Sequence, residues 1–275
     1  MKYFPLGDEK IILTGTKGGW DERIVHTLSV VEANLMGFKY WGYYGCLRAE
    51  GISLAWSNDV LNWEKFSVNQ PLLRGMRWAS AILEDGVFEI FVTKNFNWQE
   101  RTGFIVKYLS LNGKKFGEEE MVIDPKKGHV FDNSCIWKDP NSGDYYLFYN
   151  HTTRSLMRLV RRVEVKVSSS LEGLMTVQPK VVMRRFRSWG APSIVFLDDF
   201  YWMTFETRDK YGNWITEAYY SKSPVDGYKK AENNPILSDG RACASQFLSH
   251  DKELFIFYSK QLDKDHWDLR TKKRQ

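Results

Sequence analysis

Five segments of this 275-residue chain repeat one pattern, and they predict an all-β fold: a five-bladed β-propeller. The first observation is the pattern itself: a serine, an apolar run, a short polar or glycine turn, then an aromatic-rich strand. It begins at Ser29, Ser80, Ser134, Ser193 and Ser245, at intervals of roughly 50 residues, a period that suits radially repeated small sheets. The second is composition: aromatics are 15% of the chain, and such residues favour pleated, half-buried surfaces. The third is a mismatch between the two ends. The fifth repeat runs out of chain after Trp267-Asp268-Leu269-Arg270, whereas the strand-like Lys10–Thr14 precedes the first repeat without a partner. That strand is expected to complete the last blade and close the ring, which removes an exposed edge. One domain spanning residues 1–275 accounts for the repeat.

Each repeat opens on a hairpin, and later segments supply the outer strands. In the first, Gly51–Trp56 alternates as a half-buried strand, turns at Asn58-Asp59 and resumes at Trp63. Phe104–Gly113, Val163–Ser168 and Ile215–Lys229 take the same place in the second, third and fourth repeats. No linker or low-complexity tract divides the chain.

A net charge of +5 is modest for this length. The two locally basic stretches, Arg154–Arg162 and Arg184–Arg187, read as solvated loop faces, so no nucleic-acid partner is expected. The N-terminus lacks a signal-peptide pattern, and no apolar run is long enough to span a bilayer. Cys46, Cys135 and Cys243 are odd in number and widely separated, which fits reduced core thiols in a cytoplasmic protein.

In a propeller the first strand of each blade lines the axis, and the second returns to the same face. Residues just before the repeat serines (His26, Arg77, Trp78, Asp132, Trp189, Gly190, Arg241) therefore converge with residues ending the second strands (Lys94, Asn150, His151, Glu206, Lys260). Such a mixture of aromatic and charged side chains suits a carbohydrate, whose C–H faces stack on rings while its hydroxyls take polar groups. The expected partner is a small carbohydrate.

At these positions the chain resembles the five-bladed glycosidase superfamily of glycoside hydrolase families 43, 32 and 130. Arg77-Trp78-Ala79-Ser80 is similar to the Trp-Ala-Pro-Asp opening of a second blade, Asp132-Asn133-Ser134 to the Asp-Pro-Ser of a third, and Gly190-Ala191-Pro192 to the Glu-Gly-Pro of a fourth. Gly18-Gly19-Trp20-Asp21-Glu22 resembles the segment before the first blade. The resemblance implies cleavage of a glycosidic bond in a short oligosaccharide or glycoside, by carboxyl groups that protonate the leaving group and assist attack. It implies Asp21 as base or nucleophile and Asp132 as the carboxylate that tunes the donor. Gly190 stands where the family carries its acid, so Glu206, at the end of the returning strand, is the candidate donor, with His151 another possibility. His26, Arg77, Trp78, His151, Trp189 and Arg241 are candidate substrate-binding residues. Arg77 or Arg241 is expected within ion-pair reach of Asp132, keeping it ionised. Neither metal spacing nor a phosphate loop is present, so no cofactor is expected. Two alternatives stay open: a phosphate-dependent glycoside phosphorylase, which the basic rim would suit, and a non-catalytic sugar-binding propeller that has lost the fourth-blade acid. The oligomeric state is not legible.

Overall fold

The computed structural model describes residues 2–46, 50–155, 158–185, 190–238 and 241–275. The N-terminal strand β1 is Leu6–Leu13. The first blade comprises β2 (His26–Leu35), β3 (Phe38–Cys46), β4 (Gly51–Ser57) and β5 (Glu64–Lys65), with β6 (Leu73–Arg74) also paired to β4. The second is β7 (Met76–Glu84), β8 (Val87–Asn97), β9 (Thr102–Ser110) and β10 (Glu119–Ile123). The third is β11 (His129–Lys138), β12 (Tyr145–Ser155), β13 (Arg158–Ser168) and β14 (Lys180–Arg185). The fourth is β15 (Gly190–Leu197), β16 (Phe200–Arg208), β17 (Trp214–Ser221) and β18 (Lys229–Lys230). The fifth takes β19 (Ala242–His250), β20 (Glu253–Gln261) and β21 (Trp267–Arg274) from the C-terminus, and β1 is its fourth strand. The pairs Leu6↔Arg274 and Lys10↔Thr271 close the ring as the two chain ends predict. No helix is long and apolar enough to cross a membrane among the described residues.

Strand order follows from local chemistry. Four of the inner hairpins turn on two residues that both adopt left-handed backbone: Met36-Gly37, Asp85-Gly86, Asp198-Asp199 and Asp251-Lys252. That geometry matches the right-handed twist of paired strands. Aromatic and branched side chains on both faces of each sheet then pack between neighbouring blades. Trp41, Tyr43 and Leu54 of the first blade meet Phe88, Ile90 and Val106 of the second. Tyr146, Phe148 and Val165 of the third meet Ile194, Met203 and Tyr219 of the fourth. Leu28, Tyr40 and Tyr44 meet Phe255, Phe257 and Leu269 of the fifth, with Ile12 and Leu13 of β1 joining them.

The repeat serines have a structural role, and the structure corrects their register. The buried hydroxyls of Ser29, Ser80 and Ser193 each accept the backbone N–H of the next blade's inner strand: Ala81 at 2.8 Å, Ile136 at 2.9 Å and Phe247 at 3.2 Å. In the third blade this acceptor is the Cys135 sulfur, which takes the N–H of Ile194. Ser134 therefore sits one residue before the equivalent position. Its hydroxyl turns back to the Phe91 carbonyl at 3.5 Å, and Ser245 instead bonds Thr204 at 2.8 Å.

Candidate active site

Each inner strand carries a bulge near its start, and at each bulge one residue adopts left-handed backbone: Thr27 (φ 50°), Trp78 (51°), Asn133 (51°), Ala191 (46°) and Ala244 (52°). The ladder register breaks at the same places. A non-glycine residue held there costs roughly 1–2 kcal/mol, so five repetitions mark a feature that the surrounding ring enforces. A bulge re-aims the side chain beside it. The residues just before it are His26, Arg77, Asp132, Gly190 and Cys243, one per blade, and they form a ring at one mouth of the axial channel. Below them the bulges close the channel to a waist of about 10 Å³, room for no more than a water. A cavity of about 270 Å³ opens beyond the waist, toward the other end.

Contacts run around this ring. The His26 Nε2 lies 3.6 Å from the Cys243 sulfur, and the Cys243 thiol donates to the Glu206 carboxyl. The Ala244 N–H donates to Glu206 Oε2 at 3.0 Å. Glu206 reaches the ring from β16, where it is paired with Gly190. A Cβ placed on Gly190 would stand 2.3 Å from Glu206 Oε1, so the Glu206 side chain fills the volume a fourth-blade side chain would otherwise take. Asp132, buried on β11, accepts from Asn150 at 2.8 Å and Asn133 at 3.0 Å.

Burial dominates the titration of these groups. Loss of solvent pushes the Glu206 carboxyl up to about 7, and the negative charge of Asp132 adds to the rise, against the Ala244 N–H and the Arg161 guanidinium. The residue as a whole is half-buried, while its carboxyl packs against Gly190 and the Ala244 N–H. Asp132 is also raised by burial, with Arg161, Asn133 and Asn150 opposing. The cation near this pair is thus Arg161 of β13. Arg77 pairs instead with Glu50, and Arg241 is exposed, with Nη1 on the Leu262 carbonyl at 3.2 Å. The expected partnership of Asp132 with either arginine does not occur, and its carboxyl is raised where a lowered one was expected. His26, buried and near Arg77, is held down to about 3 and is neutral. Its Nδ1 is buried without a hydrogen-bond partner.

The other candidates fall as follows. Asp21 is fully buried, but its oxygens are engaged by the Thr16 N–H (3.2 Å), the Tyr44 hydroxyl (3.0 Å) and Lys65 Nζ (2.6 Å). Those partners belong to the entry loop and to the middle and outer strands of the first blade, and none of them is a ring residue. The first-blade ring position is taken by His26. Both ring nitrogens of His151 are occupied, Nδ1 by Glu164 at 2.8 Å and Nε2 by His129 at 2.7 Å, which leaves none for a ligand. Trp78 is half-buried at its bulge, edge-on to Phe96 at 4.7 Å. Trp189 lies outside the described residues. Three groups escaped sequence reasoning. Arg161 comes from a third strand, Cys243 read as a core thiol, and Trp214 and Trp267 pack around Ala191, Cys243 and Ala244 as an aromatic wall. The signal for Arg161 was the need of a buried Asp132 for a nearby cation. Among the described residues no cluster of His, Cys, Asp and Glu is built to hold a metal.

Solved structures place the fold. The propeller superposes on a thermostable family-43 glycoside hydrolase with a TM-score of 0.73 at 16% identity, covering 98% of this chain and 91% of the other. The fold is that of the family-43 glycoside hydrolases. The endo-arabinase of Bacteroides thetaiotaomicron VPI-5482 gives 0.68 at 13% identity, with 94% and 96% covered. An N-acetylgalactosamine deacetylase from F. plautii, solved with blood group B trisaccharide, gives 0.70 at 13% identity, with 99% and 95% covered. No protein-family model matches the sequence. No curated protein matches it either. The family-43 likeness is one of fold, and the fold carries more than one chemistry on sugars, so the reaction must be argued from the mouth itself.

Proposed function

We propose that this chain is a glycoside hydrolase-like enzyme that cleaves a glycosidic bond of a short oligosaccharide or glycoside, with Glu206 as the proton donor. The observation that carries the reading is the Glu206 carboxyl: it occupies the mouth of the channel in the space vacated by Gly190, with its pKa near 7. A donor must be protonated at working pH and still release its proton, which that value allows. Asp132 tunes it, because its charge opposes ionisation of Glu206. Glu206 gives its proton to the glycosidic oxygen as the bond to the anomeric carbon breaks. Water attacks that carbon, and its proton passes to Asp132, the remaining carboxylate of the ring. Asp21, tied to Lys65 and Tyr44, takes no part.

Phosphorolysis is the second reading, and one observation favours it. The first-blade ring position carries neutral His26 rather than a carboxylate. With phosphate as nucleophile a single acid suffices, and arginine at the rim would hold the phosphate. The test is a panel of aryl and natural glycosides incubated with and without inorganic phosphate. Free reducing sugar without phosphate is the expected product. A sugar 1-phosphate formed only when phosphate is present would establish phosphorolysis, and no turnover on any substrate would leave a sugar-binding propeller.

A further inference from the structure

The described residues of the two basic stretches fall on three neighbouring strands of the third blade, β12, β13 and β14, rather than on separate loops. β13 and β14 pair in the register Arg161↔Arg185 and Arg162↔Arg184. On the other side of β13, Arg154↔Leu159 and Ser155↔Arg158 pair beyond His129↔Thr153, where the inner strand begins. β12 and β13 therefore extend past the inner strand on the mouth side, and Arg154 stands exposed at that end. The register puts six arginine positions at this end of three strands, with the side chains of Arg154, Arg161, Arg162 and Arg184 among the described residues, and Glu164 is the one acid in the sequences of β12, β13 and β14. Glu164 is engaged by His151, by the Tyr149 hydroxyl at 3.1 Å and by one of the six arginines, Arg162, at 3.7 Å.

Such an arrangement works against the fold. Like charges directly opposite in a sheet are destabilising. Protection of an edge strand would explain bases along β14 alone. Here they crowd one end of three strands, two of them interior to the sheet. The patch is also continuous with the ring. Arg161 lies over the Trp98 ring of the second blade at 4.6 Å and acts electrostatically on both Asp132 and Glu206. Arg154 and Arg184 are exposed beside it.

We infer that this arginine-bearing rim is an anion-binding subsite, and that the oligosaccharide cleaved at Glu206 bears carboxylate or sulfate groups that the rim holds. The inference deepens the glycosidase reading and rests on it for the word substrate, but the subsite is measurable without turnover. Arginine forks match carboxylate and sulfate oxygens in pairs, and Trp98 with Arg161 offers a flat face for the sugar ring.

The test uses the full chain with Glu206→Gln, so that no ligand is consumed. An oligogalacturonate, a sulfated oligosaccharide and a neutral oligogalactoside of equal length are titrated by calorimetry, with inorganic phosphate as a fourth probe. At least one anionic oligosaccharide should bind about tenfold or more tighter than the neutral one, as charged hydrogen bonds predict. The advantage should shrink as salt screens it. Replacing exposed Arg154 and Arg184 by Gln should remove most of that preference, and replacing them by Lys should retain part of it. Equal binding of neutral and anionic sugars, no binding of either anionic sugar, or an advantage unchanged in the double Gln variant would overturn the inference. Phosphate binding as tightly as the anionic sugars would overturn it too, in favour of a phosphate co-substrate. Anionic sugars that bind but are not cleaved by the native chain would remove the glycosidase reading and leave the subsite standing.

Discussion

Gly190 and Glu206 face each other in one register pair, and the absence of a side chain on the first makes room for the carboxyl of the second. That exchange was partly legible. Gly190 could be matched to the missing acid from sequence, and Glu206 could be placed because strand ends follow from alternation. Asp21 could not be placed, since a loop residue has no period to follow; Lys65 on an outer strand captures it. Replacing Gly190 with Ala tests the exchange. The new methyl would meet the far end of a flexible side chain, so Glu206 should swing away at little cost in stability while turnover falls at least tenfold. Urea unfolding alongside kinetics checks this, and unchanged turnover would separate Glu206 from the chemistry. Proton linkage supplies a second mark. The folded chain holds the Glu206 proton more tightly than the unfolded chain, whose carboxyl returns to about 4.3. Its contribution to stability is therefore present at acid pH and lost as pH rises toward 7. Unfolding measured from pH 4 to 8 should show a fall over that interval that Glu206→Gln lacks.

At the scale of the element, the inner strand does two tasks a few residues apart. The bulge aims a side chain at the mouth, and the residue two positions after the left-handed one stitches its blade to the next. Serine carries the stitch in three blades because its hydroxyl accepts without adding bulk. The serine period was visible in the sequence, but counting serines slipped by one residue in the third and fifth blades, where Cys135 and Gln246 hold the equivalent places. The bulges were invisible, because threonine, tryptophan, asparagine and alanine give no sign of left-handed backbone. Ser80→Ala should leave the Ile136 N–H buried without an acceptor and cost about 1–3 kcal/mol. Denaturant unfolding reads that loss, and a change below 0.5 kcal/mol, about the scatter of neutral substitutions, would show the stitch to be dispensable.

At the scale of the whole molecule, the fold was the most legible feature. Repeats sum weak signals, and the mismatch of the two ends required a shared last blade, which Leu6–Leu13 provides. The mouth was less legible, because Arg161 enters it from a third strand and Cys243 from a position that reads as core. The ring brings five strand starts to one axis, so residues as distant in sequence as His26, Asp132, Glu206 and Cys243 become one chemical unit. In the proposed reaction Glu206 protonates the leaving group. The most direct measurement compares the native chain with Glu206→Gln on two substrates, an unactivated alkyl glycoside and an aryl glycoside with a good leaving group, across pH 5 to 9. A proton-donating Glu206 should give a loss of about 10² to 10⁴ on the alkyl glycoside, little loss on the aryl one, and a native rate that declines as pH rises through about 7, a decline absent from the variant. Equal turnover by the two proteins on the alkyl glycoside, with the same pH profile, would contradict it.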